Sequence, residues 1–350
     1  MRVMALLPQD DLKAAQAEAV RYEKLGIDGL KTSELAHDPF LPFAAATTVT
    51  ERAELATGIA IAFARSPMNV ACMANDLQRS SNGRFVLGLG SQVKGHNERR
   101  FSVPWSAPAP RLKEYIESLR AIWRCWEKGD KLDFQGEHYR FDLMTPVFSP
   151  EPAGLPMVPV TLAAVGAAMI RLSARVADGV RLHSFCTRKY MINTLLPELK
   201  KGWAESGMKR DNFEIVGGGY VITGPDDETV AKQFEWVRER LAFYGSTRTY
   251  LPVWAAHGEE DMGLKLHTMS KKGQWKEMAK QLTDDHVRLF VAVGRHDEIM
   301  EAIKMRYEGV SDTIYVNQVP GVDPKVPADL IQEMKTMPVA FKEFRNRFEE

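Results

Sequence analysis

Four stretches of this sequence gather residue types that do chemistry. Lys31-Thr32-Ser33-Glu34-Leu35-Ala36-His37-Asp38 clusters a carboxylate, an imidazole and hydroxyls. His37 is a candidate general acid or base near neutral pH, and Glu34 could hydrogen-bond a polar ring edge. Gly83-Arg84-Phe85-Val86-Leu87-Gly88-Leu89-Gly90-Ser91 ends an apolar run in small residues, which let a flat ring or a phosphate approach the backbone. Val93 stands where a dinucleotide fingerprint needs its third glycine, so that motif is absent. Val160 to Ala168 runs from an apolar stretch through Ala163, Ala164, Val165, Gly166 and Ala167; a helix starting there offers free amides and its dipole to an anion. Lys94-Gly95-His96-Asn97-Glu98-Arg99-Arg100 is a basic segment that could meet a phosphate or carboxylate. Each stretch also has a plainer reading: tight packing at glycine, an ordinary strand-to-helix turn, a surface histidine, a solvated charged loop.

Other chemistries are poorly served. His183 and Ser184 close an apolar run and could line a pocket, whereas His138, His257, His267, His286 and His296 show no spacing that would ligate a metal, and no metal is expected. Neither HExxH, GxSxG nor a phosphate-binding Gly-Lys loop occurs. Cys72, Cys125 and Cys186 are odd in number and scattered, against both a disulfide framework and a zinc site, which points to a reducing, cytoplasmic setting. The 46 basic and 46 acidic residues cancel, so no global field favours nucleic acid or an anionic membrane. No run reaches membrane-spanning length.

The elements that must position these groups alternate. Apolar strands are expected at residues 3–7, 27–33, 55–63, 85–90, 158–164, 179–183, 213–223 and 313–319. Amphipathic stripes between them mark helices, such as Leu112, Ile116, Leu119, Trp123 and Trp126. Near-continuous apolar strands such as Ile59-Ala60-Ile61-Ala62-Phe63 imply a parallel sheet buried on both faces. Eight units without a linker favour a single α/β domain over residues 1–350, a closed (β/α)₈ TIM barrel rather than two halves. Two segments break the repeat, about 131–159 and 245–285, and are expected as insertions at the C-terminal face that form lids or pocket walls and carry specificity.

Three segments together resemble the luciferase-like oxidoreductases: Leu55-Ala56-Thr57-Gly58-Ile59-Ala60-Ile61, the run from Leu77 through Ser81-Asn82-Gly83-Arg84-Phe85 to Gly90, and Val160 to the Ala177-Asp178-Gly179 ending. The resemblance spans nearly the whole chain. Arg99-Arg100-Phe101, Pro104-Trp105 and Arg111-Leu112-Lys113-Glu114-Tyr115 look more like the branch that uses the deazaflavin coenzyme F420. It implies a barrel that binds F420, or alternatively FMN, at its C-terminal end and forms a homodimer. A non-proline cis bond is implied at Gly58–Ile59, Glu34 as the polar ring contact, Ile61 and Ser91 as pocket wall, Val165-Gly166-Ala167 as the phosphate cradle, and Gly90 and Ala164 as further cofactor-binding positions. Leu35 and Val93 stand where sugar-phosphate-oxidising relatives carry a histidine and a glutamate, which argues against that substrate and leaves His37 as the nearest titratable group. The expected function is F420-dependent hydride transfer to or from a small organic substrate. The alternatives are an FMN-dependent monooxygenase and a non-catalytic cofactor-binding barrel.

Overall fold

A computed structural model describes residues 1–349. Eight parallel strands close on themselves: β1 Arg2–Leu6, β2 Gly29–Thr32, β3 Glu54–Thr57, β4 Phe85–Gly90, β5 Val160–Ala164, β6 Gly179–Leu182, β7 Glu214–Gly217 and β8 Thr313–Tyr315. The register runs without a gap, with Ala5 beside Leu30, Leu30 beside Leu55, Leu55 beside Phe85, Gly88 beside Thr161, Leu162 beside Val180, Val180 beside Ile215, Val216 beside Thr313 and Ile314 beside Val3. The fold is therefore the (β/α)₈ barrel.

The helices form where their caps and faces require. Asp11 accepts from Lys13 N–H (2.8 Å) to open the helix Leu12–Lys24, and Asp226 accepts from Thr229 N–H (2.7 Å) to open Asp227–Gly245. Pro108–Lys128 ends at Gly129, whose φ of 75° needs no Cβ. Its stripe of Leu112, Ile116, Leu119, Trp123 and Trp126 is buried against the barrel, as the spacing predicts. Most of the apolar core lies between strands and helices; inside the barrel, Met4, Ala56, Val86, Val216 and Tyr315 form a small separate cluster.

The departures have local causes. The expected 55–63 strand breaks after Thr57 at a cis Gly58–Ile59 peptide and resumes as a two-residue bridge, Ala60–Ile61, beside β4. The expected 213–223 strand breaks at Gly217-Gly218-Gly219, where φ of 79°, 102° and 134° is open to glycine alone. Tyr220–Ile222 then leaves the barrel and pairs with Val291–Val293, a strand the pattern did not reveal. The last strand stops at Tyr315, short of residue 319.

The two insertions fare differently: 245–285 places Thr247, Thr249 and Tyr250 in the cavity wall, as expected, and 131–159 does not reach it. Residues 245–285 hold the α-helices Leu251–Ala255, Glu260–Lys271 and Trp275–Ala279, and Trp254 of the first packs on Phe185 and Phe290. Residues 131–159 form a short hairpin, Phe134–Gln135 with Arg140–Phe141, and a 3₁₀ turn. This segment follows a helix and precedes a strand, so it enters the barrel from the N-terminal side. Tyr139 packs edge-on against Tyr115 at 5.5 Å, and nothing in 131–159 lines the C-terminal cavity.

Candidate active site

A cavity of about 1050 Å³ opens at the C-terminal mouth of the barrel. Three walls matter for chemistry. The first is the chain around the cis peptide. Ser33 Oγ donates to Gly58 O (3.1 Å), Glu34 N–H donates to Ile59 O (3.1 Å), and Ile61 N–H donates to Glu34 Oε2 (2.7 Å). Arg65 closes the clamp, its Nη1 donating to both Glu34 oxygens (2.9 and 2.8 Å) and its Nη2 to Asp38 (3.0 Å). Gly90 faces this shelf, and a Cβ there would lie 2.8 Å from Ile59 Cδ1.

The second wall is the end of β5 and the start of the helix Ala167–Val176. Gly166 caps that helix without a side-chain hydrogen bond, so the first-turn amides of Ala167 and Ala168 have no partner within the helix. Tyr190 Oη donates to Val165 O (2.8 Å) and holds the turn. A Cβ on Gly166 would meet open space, so the glycine gives access rather than packing.

The third wall is polar and aromatic. Lys31 from β2, Arg181 from β6 and Tyr315 from β8 form the floor; His183 stands above with Tyr244 and Tyr250 on either side, ring centroids 4.3 and 4.9 Å away. Phe185 N–H donates to His183 Nδ1 (2.9 Å), and burial beside Lys31 pushes the imidazole pKa down to about 3. The ring is therefore neutral with its proton on Nε2. Burial and the neighbouring Arg181 push the Lys31 amine down to about 8.

The cavity collects most of the sequence-predicted site. Glu34, Gly58, Ile59, Gly90, Ser91, Ala164, Val165, Gly166 and Ala167 all line it. Ile61 is fully buried behind the shelf and acts through its N–H. His37 is exposed and lines no part of the cavity. The Glu34 carboxylate is engaged by Arg65 and Ile61, so its visible work is to hold the shelf. The basic segment after β4 is a short helix, Lys94–Arg99, rather than a flexible loop; buried Asn97 ties it to Ser91 O (2.9 Å) and Val93 O (3.1 Å). Pattern reasoning passed over Lys31 and Arg181, although a lone charge inside an apolar parallel strand, Gly29-Leu30-Lys31-Thr32 or Gly179-Val180-Arg181-Leu182, was the available signal.

Flat apolar walls, a shelf beside small residues and an uncapped helix start are what a tricyclic ring with a phosphate tail requires. The sequence model of the family described as "Luciferase-like monooxygenase" matches residues 2–313. The chain belongs to the luciferase-like monooxygenase family.

Within this luciferase-like family, an uncharacterised protein of Mycobacterium tuberculosis (strain H37Rv) is 44% identical over 308 residues, covering 88% of this chain and 90% of its own. A 5,10-methylenetetrahydromethanopterin reductase of Archaeoglobus fulgidus is 26% identical over 289 residues, covering 81% and 82%. Among solved structures, the coenzyme F420-dependent tetrahydromethanopterin reductase of Methanopyrus kandleri superposes with a TM-score of 0.77 at 16% identity, over 96% of this chain and 99% of that one, a likeness of fold. The family is one of oxidoreductases and monooxygenases. No helix among the described residues is long and apolar enough to cross a membrane.

Proposed function

We propose that this luciferase-like barrel is an F420-dependent oxidoreductase that transfers a hydride between the deazaflavin and a small organic substrate. The observation that carries this reading is the single cavity in which the cis-peptide shelf, the free amides of Ala167 and Ala168 and an aromatic substrate wall face one another. A relative named "Putative coenzyme F420-dependent oxidoreductase", 27% identical over 315 residues, and the F420-dependent reductase of like fold support the choice of cofactor. When bound, F420 supplies or accepts the hydride.

The chain's own residues do the rest. Glu34, Ser33 and Arg65 hold Ile59 in place as the surface against which a ring would lie. The amides at Ala167 and Ala168 are positioned for a phosphate. His183, neutral and fixed by Phe185 N–H, presents Nε2–H as a donor to a substrate oxygen. Trp105, Tyr244 and Tyr250 cover the space above and exclude water.

The reading is tested by mixing the purified protein with F420 and with reduced F420 against panels of alcohols, ketones, enones and imines, following deazaflavin absorbance. Turnover supports it, and tight binding without turnover on any of them favours the non-catalytic barrel. The family's description as monooxygenases favours FMN with oxygen as the second reading. The homodimer belongs to the same proposal, supported by exposed Val147 (90%) and Phe148 (77%), and light scattering checks it.

A further inference from the structure

The barrel interior holds more cations than carboxylates. Arg2 on β1 reaches Glu54 on β3 (2.7 Å) and Glu214 on β7 (2.5 Å), strands that are not its neighbours, so the three meet inside the N-terminal end. Nearer the mouth, Arg181 donates Nε–H to Thr161 Oγ1 (2.7 Å) and Nη1–H to Tyr315 Oη (3.1 Å), while its Nη2 is buried with no hydrogen-bond partner. Gly88 leaves room for this side chain, since a Cβ would lie 2.8 Å from Arg181 Nε. Lys31 lays its methylenes along Gly58 and sets Nζ 4.5 Å from the centroid of the Tyr315 ring.

Lys31 has no ion-pair partner among the described residues, because the nearest carboxylate along its strand, Glu34, is taken by Arg65. Arg2, Lys31 and Arg181 thus face Glu54 and Glu214. One positive charge is left over, at the end that opens to the cavity. A buried cation without a partner is costly, and an anion supplied by a ligand relieves that cost with charge-assisted hydrogen bonds.

We propose that Lys31, backed by Arg181, receives a single carboxylate of the substrate, so that the substrates of this site are small organic monoacids with an apolar or aromatic body. The remaining wall fits such a body: Trp105, Tyr244 and Tyr250 are aromatic and the rim at Ala107, Pro108 and Ala109 is apolar. His183, Arg181 and Tyr315 face the same amine, with Glu54 and Glu214 behind them, and the imidazole, pushed down to about 3 by burial, stays neutral over the range in which Lys31 titrates. Calling the acid a substrate rests on the proposed function; the anion site itself does not.

The test uses cinnamate and cinnamamide, equal in shape and different in charge, titrated into the whole protein with and without F420 and followed by tryptophan fluorescence. At about pH 6.5 the acid binds at least about tenfold more tightly than the amide, the usual scale of one charge-assisted contact, and the preference fades above about pH 8. Lys31→Met abolishes the preference while leaving amide affinity unchanged, and Lys31→Arg retains it. Equal binding of acid and amide to the wild type overturns the proposal, as does a preference that survives in Lys31→Met. Loss of F420 binding in Lys31→Met, with no acid preference in the wild type, also overturns it, by giving the charge to the cofactor. An acid preference in a protein that binds no F420 leaves this site standing and removes the hydride-transfer reading instead.

Discussion

Replacing Arg65 by methionine tests the clamp that holds the cis-peptide shelf. Arg65 makes three charge-assisted bonds, two to Glu34 (2.9 and 2.8 Å) and one to Asp38 (3.0 Å). The Glu34 side chain is 7% exposed and that of Arg65 19%, so the pair lies between the buried and surface limits. Breaking a fully buried pair costs about 3–5 kcal/mol and an exposed pair about 0–1, which places Arg65→Met at about 2–3 kcal/mol. Glu34→Gln keeps an amide oxygen for Ile61 N–H and one bond from Arg65, and costs about 1 kcal/mol. Urea unfolding with an unchanged slope reads both values. Arg65→Met also lowers cofactor affinity, because Ile59 and Ile61 lose their anchor. An Arg65→Met variant within about 0.5 kcal/mol of the wild type, binding cofactor normally, refutes the clamp.

Further outcomes follow from other contacts. Gly88→Ala drives a Cβ into the carbonyl oxygen of Thr57, whose hydroxyl already bonds both Gly88 N–H and Gly88 O (2.8 Å each); the cost is about 3 kcal/mol or more, read by thermal unfolding. His183 has a folded pKa of about 3 against 6.5 when unfolded, so below pH 6.5 the unfolded chain takes up a proton that the folded one refuses, and stability falls. Between pH 7 and 5 this group alone removes about 2 kcal/mol, and His183→Phe, compared by urea unfolding at both values, loses about that much less. Ala167→Pro deletes one amide at the first helical position while the helix tolerates the ring. It weakens FMN or F420 binding several-fold and leaves riboflavin or the phosphate-free deazaflavin unchanged, as equilibrium titration will show.

The barrel was legible because its strands are continuous apolar runs and its helices carry clean stripes, as in Leu112 to Trp126. What escaped was set by three-dimensional closure. The Gly217-Gly218-Gly219 break is written in the sequence, but the partner of Tyr220–Ile222 lies some seventy residues away, at Val291–Val293, and a three-residue strand has too little pattern to declare itself. One wall of the cavity was legible from small residues at strand ends, Gly90, Ser91 and Gly166. The charged floor was not, since strand period alone does not say that Lys31 and Arg181 meet over Tyr315. His37 drew notice for its chemistry, but the loop turns it to solvent, and His183, held by Phe185 N–H, is the histidine that lines the cavity. The 131–159 segment was expected as a wall of the site, but its hairpin packs on the outside of the helix Pro108–Lys128, through Tyr139 on Arg111 and Tyr115, and lines no part of the cavity.

The central claim is tested most directly by titrating the purified protein separately with F420 and with FMN, following tryptophan fluorescence and cofactor absorbance. The account predicts tight F420 binding and weak FMN binding, with the F420 affinity reduced in both Arg65→Met and Ala167→Pro. Tight binding of FMN alone, or of neither, contradicts it.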